Sequence, residues 1–142
     1  MIYILDACAV IAFLKKETES NKVKKLFDQA IDGGIFLLMH TVNLMEVYYG
    51  FISAEGIEAA DKHMKYLDGI PIKYISTINR KVYKTSCRLK GTYSISLADS
   101  IAAATAYDKG AVLVTKDGEF KPLQEKEQLP IFWIKRPKKR VV

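Results

Sequence analysis

The chain is poor in the side chains that build soft or nitrogen-rich metal cages. Its 142 residues hold two cysteines, Cys8 and Cys87, far apart and outside any CxxC pattern. That argues against a disulfide framework and against a structural zinc site. Two histidines, His40 and His63, are too few for a histidine-based cage. Long apolar runs are also missing: no stretch reaches the roughly 18 apolar residues a membrane span needs. Met1 leads straight into Ile-Tyr-Ile-Leu and Asp6 without a basic flank, so no signal peptide is expected and the cytoplasm is the default compartment. Internal repeats and low-complexity tracts are absent. Acids are in deficit, 16 against 22 lysines and arginines, for a net charge of +6. That balance favours a polyanionic partner, although any single lysine is more simply a solvated surface residue.

What is present is an ordinary globular composition, 49% hydrophobic and 27% charged, in a length that suits one domain with a real core. Its most unusual stretch runs over 94–107. Between Leu97 and Ala106 the only polar residues are Asp99, Ser100 and Thr105, and the rest is dominated by alanine, the best helix former. A helix apolar on most sides is a buried one. One carboxylate in its first turn is out of place there. Ser96-Leu-Ala-Asp99 fits a capping box, in which the acid returns a hydrogen bond to the cap backbone. Taken alone, that is the simpler reading of Asp99.

The remaining chain alternates short apolar runs with helical periodicity. Strands are expected at 2–5, 35–39, 71–75, 111–115 and 131–134, the third alternating as a half-exposed edge strand does. Helices are expected at 7–14, 19–32, 42–51, 54–68, 78–90 and 97–106. Thr41 is the expected cap of the third, and Gly33, Gly69, Gly91 and Gly110 are the expected stops. Lys116-Asp117-Gly118 reads as a turn, and the segment 119–128 as polar and loop-like, with room for one helical turn. Strands separated by helices imply βαβ units, an α/β fold with a mostly parallel sheet of about five strands covered on both faces. Sites in such folds gather at the carboxyl ends of the strands.

Four acids fall at that edge. Asp6 follows the first strand and Asp117 the fourth. Glu46 and Asp99 lie in early turns of helices that start there. Each has a simpler explanation: Asp6 as a helix cap, Asp117 as an Asp-Gly turn residue, Glu46 as a solvent-side or lysine-paired acid. Asp32, Asp61, Asp68 and Asp108 sit at helix ends or on polar faces and make no such claim, while Glu119 is an outside candidate close to Asp117. Convergence of all four is the informative possibility. At ~5 Å and an effective dielectric of about 20, each pair repels by roughly 3 kcal/mol. Protons or a cation must relieve that, and oxygen-only ligands favour Mg²⁺ or Mn²⁺. Such an ion activates water and polarises phosphoryl oxygens, so on a basic chain phosphodiester hydrolysis is the natural chemistry.

Four segments in order, Ile4-Leu5-Asp6-Ala7-Cys8-Ala9, Asn43-Leu44-Met45-Glu46-Val47, the run 97–106, and Val114-Thr115-Lys116-Asp117-Gly118-Glu119-Phe120, together resemble the PIN domain, and within it the VapC-type ribonuclease toxins of prokaryotic toxin–antitoxin pairs. The resemblance covers nearly the whole chain. It implies a three-layer α/β/α fold over 1–134, with 135–142 as a basic C-terminal tail. It implies an RNA-cleaving site in which Asp6, Glu46, Asp99 and Asp117 hold Mg²⁺ or Mn²⁺, with Asp6 and Asp99 the firmest ligands. Thr115 and Asn43 would support that site. On charge rather than resemblance, Lys116 is a candidate to hold the RNA backbone, and the tail with Lys135 and Arg136 either touches phosphate or simply aids solubility. The resemblance further implies a homodimer and a small antitoxin that blocks the site. Tyr48, Tyr49 and Phe51 offer either a dimer surface or core. One departure stands out: Ala7 and Cys8 occupy positions where the family often carries Ser, Thr or Asn, and a thiol is a poor substitute for a hydroxyl. Cys8 reads as a small buried side chain.

Two other functions compete. A non-catalytic RNA- or protein-binding module on the same fold would gain from discarding the acids, yet all four are present. A receiver-type phosphoacceptor switch needs adjacent acids after the first strand, where only Asp6 stands, and a lysine after the last, where only Lys135 is available.

Overall fold

The computed structural model describes residues 1–137, so Lys138, Lys139 and Arg140 of the expected basic tail lie outside the described residues. Five strands form one sheet: β1 (Ile2–Leu5), β2 (Phe36–His40), β3 (Ile72–Ile75), β4 (Val112–Thr115) and β5 (Ile131–Trp133). Their order is β3-β2-β1-β4-β5, and every pairing is parallel. The edge position expected for the third strand is the one β3 takes. The chain first builds outward from β1 through β2 to β3, then returns to the other side of β1 for β4 and β5. That reversal opens a crevice at the carboxyl ends of β1 and β4, where open α/β sheets bind their ligands.

Alternation along the strands makes two cores. Leu5, Leu37, Met39 and Val114 face one side, with Val10, Val23, Phe27, Val47 and Phe51 from α1 (Ala7–Leu14), α2 (Ser20–Ile31) and α3 (Thr41–Glu55). Ala60 and Leu67 of α4 (Ile57–Leu67) complete that layer. Ile4, Leu38 and Leu113 face the other side, against Leu89 of α5 (Arg80–Thr92), Ala102, Ala103 and Ala106 of α6 (Leu97–Lys109), and Leu123 of α7 (Lys121–Lys126). This is a three-layer α/β/α arrangement. Strands buried on both faces explain why the apolar runs are continuous rather than alternating. Among the described residues, no helix is long and apolar enough to cross a membrane.

Several local expectations are corrected. Thr41 is the first residue of α3, not its cap. His40 caps the helix: its Nδ1 accepts from the Val42 N–H at 3.1 Å, which leaves Nε2 to donate to the Thr77 carbonyl at 3.1 Å. An imidazole bonded at both nitrogens does a hydroxyl's work there. Gly91 does not stop α5, which runs through it to Thr92, whereas Gly110 ends α6 in the left-handed conformation (φ 61°, ψ 38°) that only glycine adopts without strain. The polar segment after β4 holds a 3₁₀ turn over Gly118–Phe120 and then α7. Phe120 and Leu123, both fully buried, pin it to the sheet. The three aromatics of α3 have separate fates: Phe51 is core, Tyr48 donates to Asp61 at 2.6 Å, and Tyr49 is 60% exposed.

Candidate metal centre

Asp6 is the first residue beyond β1 and the N-cap of α1. Its Oδ1 accepts the Ala7 N–H at 2.8 Å, as the capping explanation requires. The cap uses only that oxygen. Oδ2 accepts from the Thr115 hydroxyl at 2.9 Å and from the Cys8 thiol at 3.1 Å. Leu5 lies in register with Val114, so the next pair along, Asp6 and Thr115, meet across the β1–β4 boundary. Thr115 Oγ1 also accepts the Asp117 N–H at 3.0 Å. One fully buried hydroxyl thus ties two acids from distant parts of the chain.

Cys8 fills the position where the sequence departs from the family pattern. It is half-buried rather than sealed in the core, and its sulfur accepts from the Lys116 N–H at 3.4 Å while the thiol faces Asp6. The contact expected of a hydroxyl is made here by sulfur, at a sulfur's longer reach. Burial first, and the Asp6 charge second, push this thiol above its ordinary pKa. It is a hydrogen-bonding group and a poor nucleophile.

Asp99 sits in the first turn of α6. Ser96 caps the helix by accepting the Asp99 N–H at 3.1 Å. The reciprocal half of a capping box, the Asp99 carboxylate accepting the Ser96 backbone N–H, is not formed among the described residues; the Ser96 hydroxyl is the side-chain partner that partly offsets the crowding of that carboxylate. Asp99 is only 8% exposed. Burial, then the charges of Asp6 and Asp117 and finally that of Glu46, raise its pKa from 3.8 to about 7. Asp6 is likewise raised, chiefly by burial, with Asp117 adding to it.

Glu46 lies in the second turn of α3. Burial raises its pKa first, followed by the Asp6 charge, with Asp117 contributing less. Its Oε1 is buried without a hydrogen-bond partner. Asn43, one turn earlier and fully buried, donates to the Ala98 carbonyl at 3.2 Å. That bond fixes the helix bearing Glu46 to the start of the helix bearing Asp99.

Asp117 caps the 3₁₀ turn through Oδ1, which accepts the Glu119 N–H at 2.9 Å. The turn swings Glu119 back, and one ligand oxygen each from Asp99, Asp117 and Glu119 lie within 4.8 Å of one another. Periodicity gave Glu119 no special weight. Its only signal was its place two residues after Asp117.

The fold therefore brings five carboxylates toward one edge, and among the described residues no lysine, arginine or histidine pairs with any of them. Lys116 reaches instead to Glu17, and Lys135 lies 3.9 Å from Glu19. Arg136 is exposed. An all-oxygen donor set, with an orphaned Glu46 oxygen, a crowded Asp99 carboxylate and no ion-pair partner among the described residues, fits a hard divalent cation. An apolar groove of about 250 Å³ lies elsewhere, between α3, α4 and β3, lined by Leu44, Met45, Tyr48, Met64 and Tyr74.

Known proteins bear on this geometry. The profile of the PIN domain family matches residues 3–126. Among solved structures, VapBC2 from Rickettsia felis bound to a DNA fragment from its promoter aligns at TM-score 0.70 and 20% identity, covering 93% of this chain and 98% of that one. The sarcin-ricin loop cleaving toxin VapC20 from Mycobacterium tuberculosis aligns at TM-score 0.66 and 13% identity, covering 85% and 93%. VapBC-5 from the same organism, a member of the VapBC family of toxin–antitoxin systems, aligns at 0.61 and 15%, covering 93% and 98%. Comparison with curated proteins gives no match. The structural likenesses speak for the fold, and the family profile spans most of the sequence. The chain belongs to the PIN domain family.

Proposed function

We propose that this protein is a metal-dependent ribonuclease, the toxin of a toxin–antitoxin pair, hydrolysing RNA phosphodiester bonds with Mg²⁺ or Mn²⁺. The observation that carries the reading is Asp99: a carboxylate only 8% exposed and crowded by Asp6, Asp117 and Glu46 is costly to ionise unless a cation binds there. Asp99, Asp117 and Glu119 would hold the ion together with Asp6 and Glu46. When bound, it supplies positive charge for the phosphoryl oxygens and an acidified water as nucleophile. The protein's own part is positional. Thr115 and Cys8 fix the Asp6 carboxylate, Thr115 also fixes the Asp117 backbone, and Asn43 sets α3 against α6. No histidine base is needed.

The sarcin-ricin loop cleaving toxin among the structural neighbours supports RNA as substrate. The toxin–antitoxin assemblies among them support a small protein antitoxin as partner. Exposed Met45 and Tyr49, beside the apolar groove, are the kind of surface a protein partner or a second copy covers.

The test is RNA cleavage by purified protein with Mn²⁺ or Mg²⁺, with EDTA, and by Asp99→Asn. The expected outcome is cleavage by the metal-loaded wild type alone, with a loss of roughly 100-fold or more in the variant. Cleavage that persists in EDTA overturns the metal mechanism. RNA binding without cleavage by the wild type favours a binding module.

A further inference from the structure

Charge is unevenly distributed along the chain. Residues 69–98 contain six cations (Lys73, Arg80, Lys81, Lys84, Arg88 and Lys90) and no acid. That is the whole net charge of +6, since the remaining chain carries 16 cations against 16 acids. The segment folds as the edge strand β3 followed by α5. Val82, Ser86 and Leu89 turn inward as the buried face of α5, so its basic residues are left outward. Arg80, Lys84 and Arg88 recur every four residues and form one line along the helix, rising ~6 Å per step. Tyr83, 60% exposed, stands among them.

Most of these cations are unneutralised. Lys81 lies 4.0 Å from Asp108 and Arg88 lies 3.0 Å from Glu127, but Lys73, Arg80, Lys84 and Lys90 have no ion-pair partner among the described residues. Lys116 and Lys135, nearer the acids in sequence, are occupied by Glu17 and Glu19. The last turn of α5 leads through the four residues 93–96 into the first turn of α6, where Asp99 lies. The stripe is therefore continuous along the chain with the acidic edge.

We propose that the outward face of α5 is the track that holds the RNA backbone while the acids act on it. This rests on the reading of the protein as a ribonuclease. A row of cations most of which lack an ion-pair partner among the described residues, with an exposed tyrosine, suits a single strand, with phosphates on the cations and a base stacked on the ring. A membrane surface is disfavoured, because the apolar face of α5 is buried and the outward face has no anchor beyond Tyr83.

The experiment measures binding of a labelled single-stranded oligoribonucleotide by the full chain in EDTA, as a function of salt, with cleavage in Mn²⁺ scored separately. Each lost phosphate contact on a single strand reduces the slope of log affinity against log salt by about 0.7. Arg80→Gln/Lys84→Gln/Lys90→Gln is expected to flatten it by about 2 without changing Tm. Lys22→Gln/Lys25→Gln, on the exposed side of α2, is expected to leave it unchanged. An unchanged slope in the α5 variant, equal losses in both variants, or no RNA binding by wild type overturns the proposal. A protein that binds through α5 but never cleaves keeps this inference and removes the nuclease reading. One that cleaves with its slope unaltered by the α5 variant does the reverse.

Discussion

Asp99 releases its proton near pH 3.8 when unperturbed and holds it to about 7 in the fold. Between those values the folded chain binds more protons than the unfolded one, so metal-free stability falls as pH rises across that window. The decline belongs to the coupled set of acids, since burial and the charges of Asp6, Asp117 and Glu46 together raise Asp99. Asp6 and Glu46, also raised, act in the same direction. Urea denaturation in EDTA is expected to show this decline between about pH 4 and 7, with Asp99→Asn flattening it and proving more stable than wild type above pH 7. Saturating Mn²⁺ is expected to restore the wild type and leave the variant unmoved. A pH-independent wild type would mean that the carboxylates do not strain one another. The same residue shows where sequence reading stops. Ser-x-x-Asp predicted a reciprocal cap, and only the Ser96 half exists. Which way a first-turn carboxylate points depends on neighbours from other elements, and here those are acids.

At the scale of elements, α6 does most to place the site. Its alanines at 102, 103, 104 and 106 are essentially sealed, and the absence of larger side chains lets the helix lie close to the sheet with Asp99 at the acidic edge. Ala103→Leu is therefore expected to cost roughly 1–3 kcal/mol by overpacking, read as a shift in the urea midpoint. Leu97→Ala, at a position 57% exposed on the same helix, is expected to change stability by less than about 0.5 kcal/mol. Equal effects would show that α6 is not the buried helix described. The long periodic helices and apolar strands were legible because their patterns are local. The cap of α3 was not, since a histidine that caps a helix needs its second nitrogen engaged, and the Thr77 carbonyl comes from across the fold. The turn after β4 was legible as Asp-Gly, but the extent of α7 behind it was not, for a similar reason: its polar sequence hides two anchors, Phe120 and Leu123, whose burial depends on the sheet beneath.

For the whole molecule, βαβ alternation implied a parallel sheet, but strand order had to come from the fold. The connection from β3 to β4 runs through α5 and α6 and passes β2 and β1, a long-range choice that local pattern does not encode. That connection places β4 beside β1, so that Thr115 meets Asp6. The helix-after-strand rule indicated a shared edge for Asp6, Glu46, Asp99 and Asp117. It could not indicate the closeness of Glu119 to Asp99 and Asp117, which arises from the 3₁₀ turn. On the reading proposed above, these carboxylates form one pocket for a divalent cation. Calorimetric titration of Mn²⁺ into EDTA-stripped protein near neutral pH tests it most directly. Saturable binding by the wild type, abolished in both Asp99→Asn and Asp117→Asn, is the expected result. No binding, or binding unchanged in both variants, would contradict it.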